Sequence, residues 1–471
     1  MTTNPTLPGQ RTADASSLRG LCGGAVHLPG DPGYDEARTP WNVAIDQRPA
    51  AVARPASAAE VAEVVRAAAA AGLRVAPQGT GHNAGPLGSL DDVVLLRTSA
   101  MTAVIVDPEG RTARVEAGAL WLDVVEAAAP HGLAALHGSS PDVGVVGYSL
   151  GGGMGWYARE LGLAANSVTA VEVVTADGSL VRADADSHPD LFWALRGGGG
   201  NFGVVTALEF RLFPIETAYA GMLVWDWQHA KPVLERWAAW AVTAPDAVTT
   251  AWRILQLPPI PDIPEPFRGR QIVVIDGAVL ADDAEAEAIL APLRELGPEM
   301  DTFARVPSAS LVRLHMDPEG PTPAVSASTM LGDLPQGAID AVVATAGPGS
   351  GSSLLITELR QLGGALGRPH AGAGAVSRLD GSFVLFAASI AATPEMAGQG
   401  EADAGRVVEA LRPWTNGKRY LNFAETPVDA STGYEAAAWA RLQAIRDRVD
   451  PQGRFVSNHK VTQAVELPAQ R

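Results

Sequence analysis

The chain has 471 residues and a formal net charge of −17, with 52 acidic against 35 basic side chains. No Lys/Arg cluster interrupts that surplus, which argues against a nucleic-acid or anionic-membrane partner and fits solubility. The single cysteine, Cys22, leaves no partner for an internal disulfide.

Apolar residues make up 47% of the chain and charged residues 18%, the balance of a folded rather than a disordered protein. The length predicts two domains. The first residues lack the basic and apolar regions of a secretory signal, and no apolar run reaches the ~18 residues of a membrane span. The expectation is a cytoplasmic protein, monomer or homodimer.

In chain order, residues 1–20 read as a loose polar tail, with a short helix opening over 17–23. A short apolar strand sits between Pro49 and Pro55. Ser57 to Ala71 predicts an amphipathic helix: Ser57 is the N-cap, Glu60 completes a capping box, and Val61, Val64, Val65 and Ala68 share a face. Gly72 ends it. A strand at 74–76 leads into Pro77-Gln-Gly-Thr-Gly-His-Asn83, where Gly79 and Gly81 around Thr80 let backbone N–H groups approach a phosphate. Strands follow at 93–96, at 104–107 with 112–117 around Pro108, and at 168–175 with 179–182 around Asp177-Gly178. Helices are read at 120–129 and 189–196.

After Pro214 the pattern changes to longer strands at 222–227, 249–257, 271–280, 353–362 and 382–391. These alternate with helices at 231–243, 282–296 and 401–411. That predicts an α+β domain whose sheet is covered on one side. A helix over 435–448 precedes the closing segment.

Two further glycine-rich segments accompany the His82 loop: His137-Gly-Ser-Ser-Pro-Asp-Val-Gly-Val-Val-Gly-Tyr-Ser-Leu-Gly-Gly-Gly-Met-Gly-Trp156 and Arg196-Gly-Gly-Gly-Gly-Asn-Phe-Gly-Val-Val-Thr206. Together, and in this order, the three resemble the FAD-binding half of the berberine bridge enzyme-like branch of the vanillyl-alcohol oxidase superfamily. The resemblance runs from about Pro49 to Pro214 and returns over Tyr420–Val461. It implies a two-domain PCMH-type fold: residues 1–214 as the main FAD-binding part, 215–415 as the substrate domain, and 416–471 as a return to the first.

The resemblance also implies that His82 bonds covalently to FAD, with Gly79, Thr80, Gly81, Asn83, Pro141, Val143, Gly144, Gly147, Gly152, Gly153, Gly155, Val205 and Asn458 around the cofactor. Ser140 stands where many relatives carry a second, cysteine link, so the pattern is that of the single-histidine members, the 6-hydroxynicotine oxidases among them. Val143 stands where valine accompanies oxidase behaviour. Small-molecule substrate and dioxygen are the implied partners, and no metal is expected. The implied reaction is oxidation at a C–OH or C–N carbon, with secondary metabolism as the setting.

Four residues are candidates for catalysis. The family's Tyr-x-Asn-Tyr reads Tyr420-Leu-Asn422-Phe423 here, which removes the second hydroxyl and leaves Tyr420 and Asn422 as orienting groups, or Tyr420 as a structural hydroxyl. Glu358 alternates with Ile356 and Arg360 on a predicted strand; it is either half of a surface ion pair or a buried base of raised pKa, suited also to holding an amine. His459, in the closing segment, could support the flavin edge, relay a proton or act from behind. Trp225, Trp227 and Trp252 could line the substrate sheet or simply fill its core.

Two other classes compete. Gly147-Tyr-Ser149-Leu-Gly151 fits the nucleophile elbow of α/β-hydrolases, although Gly151-Gly-Gly is a poor helix opening. A noncatalytic flavin-binding protein would keep the loops. The Gly197–Gly203 run follows a helix and enters a strand, the reverse of a Rossmann fingerprint.

Overall fold

The structure is a computed structural model that describes residues 14–462. Of the stretch read as a tail, residues 1–13 lie outside the described residues; from Asp14 the chain turns through short 3-10 segments, Ala15–Leu18 and Cys22–Gly24, and buries Leu18.

The helix Ala58–Ala70 organises the first half. The Ser57 hydroxyl accepts from the Glu60 N–H, and Val61, Val64, Val65 and Ala68 are buried. Glu60 reaches back to the N–H of Ala56 rather than that of Ser57, so the capping box is displaced by one residue. The helix packs among residues of two sheets. One has four strands, ordered Val26–His27, Ala51–Ala53, Val93–Arg97, Arg74–Gln78, with the last three parallel. The other has five antiparallel strands, ordered Val104–Asp107, Thr112–Glu116, Val204–Arg211, Val168–Val174, Leu180–Asp184.

The second half is an eight-stranded antiparallel sheet. Its main path runs Met300–Asp301, Thr217–Asp226, Gln271–Val279, Val248–Gln256, Ile356–Gln361, Phe383–Ile390, Ala324–Leu331, with Ala304–Pro307 beside Thr217–Asp226. Helices Ala230–Ala241, Asp283–Arg294, Gln336–Ala346 and Pro394–Ala410 cover one face, as the one-sided reading expected. Trp225 and Trp252 are buried in that helix-side core and Trp227, partly buried, packs against it, so the tryptophans read as possible substrate lining belong to the core instead. The C-terminal helix Ala436–Val449 returns to the first half, where Val75 pairs with Phe455.

Several elements differ from the sequence reading. Ala324–Leu331 and Gln336–Ala346 were not foreseen, because small residues such as Ala327 and Ala341 blur the periodicity. The helix read over 401–411 begins at Pro394, capped by Thr393. Gly400 had masked it, yet glycine is required there, since a Cβ would stand 2.7 Å from Ser389 Cβ.

Candidate active site

Between the first-half sheets and the uncovered face of the eight-stranded sheet lies a cavity of about 430 Å³, a size that suits a small-molecule site. One wall is largely backbone. Gly79 and Gly81 with Thr80, Gly144, Gly147 and Gly151, and Gly197–Gly200 with Gly203 all line it. Among the described residues nothing accepts from the N–H groups of Gly79–His82, while the Thr80 carbonyl is fixed by the Trp41 N–H at 2.9 Å. Donors are thus left facing the cavity by a loop whose own carbonyl is anchored.

His82 is held by three contacts. Its ring stacks on Trp41, with centroids 4.0 Å apart. Its Nδ1 lies 2.7 Å from the Thr80 hydroxyl. Its Nε2 is buried without a hydrogen-bond partner and sits 3.7 Å from Asp142 Oδ1. Asp142 in turn accepts from Trp41 Nε1 at 2.6 Å, the Gly320 N–H at 2.8 Å and the Ser140 hydroxyl at 3.0 Å. Burial alone would raise the Asp142 carboxyl; the contacts from His82, Gly320 and Trp41 outweigh it and hold the group well below the usual carboxylate range.

The opposite wall is made of side chains. Ile356, Glu358 and Arg360 do point to one face, into the cavity. Glu358 is buried and pairs with Arg360 Nε, while His315 Nε2 approaches it at 3.0 Å. Behind His315, Asp276 takes Nδ1 at 2.7 Å and Arg253 at 2.6 Å. Arg360 also donates to Ser139 Oγ at 3.1 Å and lies 5.1 Å from the Phe423 ring centroid. Across the sheet, Ser326 donates to Glu425 at 2.7 Å and Ser328 to the Phe423 carbonyl at 2.7 Å, so alternate serines of Ala324–Leu331 tether the 420–425 segment.

Residues 49–184 match the family of FAD binding domains. The chain is 37% identical over 203 residues to (R)-6-hydroxynicotine oxidase of Paenarthrobacter nicotinovorans, a match spanning 43% of this chain and 44%, under half, of that relative. The crystal structure of 6-hydroxy-D-nicotine oxidase from Arthrobacter nicotinovorans superposes with a TM-score of 0.80 at 26% identity, covering 93% of this chain and 97% of that one. Wild-type BBE-like 1 from Physcomitrella patens shares the fold at a TM-score of 0.80 and 20% identity, covering 94% and 97%. Residues 49–184 thus form an FAD binding domain, and the chain as a whole shares the fold of 6-hydroxy-D-nicotine oxidase.

Polar groups of this cavity fit an FAD. Gln78, His82, Asn83 and Tyr148 line the cavity, and each has a buried polar atom with no partner in the protein. Buried polar atoms demand partners, and a dinucleotide is rich in them. At Gly147 a Cβ would meet nothing within 4 Å, so that glycine opens the wall rather than relieving a clash.

Most of the residues assigned to the cofactor from sequence do line the cavity: Gly79, Thr80, Gly81, His82, Asn83, Ser140, Val143, Gly144, Gly147, Val205 and Asn458. Pro141, Gly152, Gly153 and Gly155 do not. The Pro141 carbonyl accepts from the Leu122 N–H instead. A Cβ on Gly153 would stand 2.3 Å from Tyr148, and one on Gly155 1.8 Å from the His137 carbonyl oxygen. Gly153 and Gly155 therefore exist to let chain segments pass each other.

The catalytic candidates fare unevenly. Glu358 is no surface residue, and it is no base of raised pKa either. Burial would raise it, but Arg360 and His315 outweigh burial and hold it ionised below the usual range. Tyr420 lines the cavity, yet burial pushes its hydroxyl up to about 12, a poor tyrosinate; the hydroxyl accepts from Asn422 Nδ2 at 3.2 Å. Asn422 also donates to the Tyr148 carbonyl at 3.0 Å, which pins this segment on the helix Val145–Leu150. His459 Nε2 lies 2.9 Å from the Leu421 carbonyl, and burial lowers its pKa, so the ring stays neutral as a support. Ser149 sits buried inside a helix that opens at Gly144, with no strand-to-helix elbow at the serine, which removes the hydrolase geometry.

Sequence reading missed Trp41, Asp142, His315, Asp276 and Glu425. Asp142 stood inside a quoted motif and could have been found by asking what an acid does beside the His82 loop. His315 and Asp276 carry no local signal, since Asp276 comes to this group through strand register and His315 from a loop after a 3-10 turn.

Proposed function

We propose that the chain is an FAD-linked oxidoreductase, an oxidase of a small molecule, that holds its cofactor covalently through His82. Support comes foremost from one observation: His82 lines the cavity, its ring fixed by Trp41 and Thr80, with Nε2 buried, without a hydrogen-bond partner and 3.7 Å from Asp142 Oδ1. Nδ1 is engaged by Thr80, so Nε2 is the nitrogen left for the link to the flavin. Asp142, kept ionised, would orient the ring. The glycine wall would take the cofactor's phosphates on the N–H groups of Gly79–His82. When bound, FAD would supply the redox step, accepting a hydride from a C–OH or C–N carbon and passing the electrons to dioxygen to give hydrogen peroxide. The sheet wall would receive the substrate, with Phe386 and Phe423 as apolar contacts and Glu358–Arg360 as a fixed dipole. Biosynthesis of a secondary metabolite is the setting we favour, and the cytoplasm the compartment.

Acid precipitation tests the reading. The parent protein should carry its flavin into the pellet with an intact mass raised by one FAD, and His82→Ala should release FAD or contain none. Flavin extracted freely from the parent sinks the linkage. Bleaching by a substrate under nitrogen, with recovery in air, separates an oxidase from a noncatalytic flavin carrier.

A further inference from the structure

The cavity holds two buried glutamates in opposite circumstances. Glu358 is matched by Arg360 and His315. Glu425 also lines the cavity, yet no cation reaches it: among the described residues the Ser326 hydroxyl alone donates to its side chain, and it joins no ion pair. Strand pairing places Ser326 opposite Ala388 and Ala388 opposite Ile356, so Glu358 stands two strands across and two residues along from the Glu425 tether, roughly 10–12 Å away. Arg360, engaged with Glu358, is not free to serve it.

Among the remaining acids, bases and histidines on the cavity, none supplies Glu425 with a cation. Asp317 is an acid. His82 is stacked on Trp41. His459 is bonded to the Leu421 carbonyl and kept neutral by burial. Glu425 is meanwhile fixed in place. Its own carbonyl oxygen packs so close to Gly85 that a Cβ there would stand 2.3 Å away, and the neighbouring Phe423 carbonyl is tied to Ser328. A carboxylate taken from water with one neutral donor is unstable as an anion unless a cation joins it. Apolar Phe386, Ala388 and Ile390 complete this end of the cavity.

We propose that Glu425, tethered by Ser326, is the binding point for a positively charged nitrogen, an ammonium or amidinium, carried by a substrate with an apolar body. The proposal rests on reading this cavity as the substrate site of an FAD-linked enzyme, and it names the substrate class. Burial raises the Glu425 carboxyl to about 7, so docking of a cation near neutral pH also expels a proton.

Calorimetric titration of the purified holoprotein with benzylammonium, benzyl alcohol and benzoate tests this. Near pH 7 the parent should prefer benzylammonium over benzyl alcohol by about ten- to a hundredfold, the size of a charge-assisted hydrogen bond. Repeating the titration in buffers of different ionisation heat should show proton release. Glu425→Gln should bring the preference to about one and abolish the release, while Glu425→Asp keeps part of both. If the glutamine variant does not fold, Ser326→Ala replaces it and should shift proton release toward higher pH. A parent that favours the alcohol or benzoate, binds none of the three, or keeps its cation preference in Glu425→Gln overturns the proposal. Flavin content measured on the same samples separates the two readings: loss of flavin from the parent sinks the enzyme assignment, whereas flavin present without cation preference sinks only the Glu425 subsite.

Discussion

The two walls of the cavity are built from different material. The glycine wall is backbone: Gly79, Gly81, Gly147 and Gly197–Gly200 present N–H groups or bare Cα atoms, and its specificity lies in what is missing. The sheet wall is charge: Arg253, Asp276, His315, Glu358 and Arg360 form one network of ion pairs, and its specificity lies in matching each charge to an opposite one. The first wall has room for an added atom at Gly147 and none at Gly198, and the second tolerates no subtracted charge. Glu425, beyond the network, shows that burial alone does not set a carboxylate's state. Glu358 and Glu425 share a cavity, and partners make the difference.

Subtracting a charge from the sheet wall should give the largest effect. Arg360→Met leaves Glu358 buried with His315 as its remaining partner, and a broken buried pair costs about 3–5 kcal/mol. Chemical denaturation should show that loss. The double variant Glu358→Leu/Arg360→Met should recover most of it, because an apolar pair of similar volume removes the orphan charge. A single variant as stable as the parent would mean that the network is not coupled.

Adding an atom to the glycine wall tests the other half. Gly198→Ala forces a Cβ to 2.3 Å from the Ala194 carbonyl oxygen, and overpacking of this kind costs about 1–3 kcal/mol or more. Gly147→Ala, inside the helix Val145–Leu150 with nothing within 4 Å of its Cβ, should fold as well as the parent. It should nevertheless lose flavin, because its methyl group projects into the cavity. Thermal unfolding and the flavin-to-protein absorbance ratio distinguish the pair, and a Gly147→Ala protein with full flavin content would show that this stretch of wall does not touch the cofactor.

This contrast explains what could be read in advance. The His82 loop and the glycine runs were legible because a backbone requirement leaves its residues adjacent in the chain, at fixed spacing. The same logic overreached at Gly153 and Gly155, since a glycine needed for chain passage looks in sequence like one needed for a ligand. The charge network was illegible. Glu358 and Arg360 alternate on one strand, and that much was seen, but Arg253 meets Glu358 only through register between Val248–Gln256 and Ile356–Gln361. His315 arrives from a loop after a 3-10 turn. Without His315 in view, Glu358 was read as either half of a surface ion pair or a buried base of raised pKa, and the structure shows a buried carboxylate whose pKa is lowered instead.

Glu425 provides the next test. Its folded-state pKa, about 7, lies above the ordinary value of 4.5 because burial disfavours the anion. A carboxyl raised on folding favours the native state while it is protonated, below the unfolded pKa. That contribution is lost as pH climbs through the folded pKa. The ligand-free parent should therefore lose roughly 2–3 kcal/mol between about pH 4.5 and about pH 8, relative to Glu425→Gln, in which nothing titrates at this position. Arg360, Glu358, Asp317, His82 and His459 also border the cavity and are common to both proteins, so the difference between the two stability curves isolates Glu425. Glu358, depressed rather than raised, contributes its pH dependence only on the acid side.

The smallest effect belongs to Ser326. Its hydroxyl lowers the Glu425 pKa by donating to the carboxylate. Ser326→Ala removes one hydrogen bond, worth about 0.5–1.5 kcal/mol, and so should move the Glu425 titration upward by at most about one unit. The pH at which stability begins to fall relative to Glu425→Gln shifts up by the same amount, while stability at acidic pH barely changes because the protonated carboxyl can still find a partner. In the double variant with Glu425→Gln the pH shift should vanish. If Ser326→Ala shifts nothing, water has taken over the hydroxyl's role, and the end of the cavity that looks apolar is wet enough for Glu425 to ionise without a bound cation.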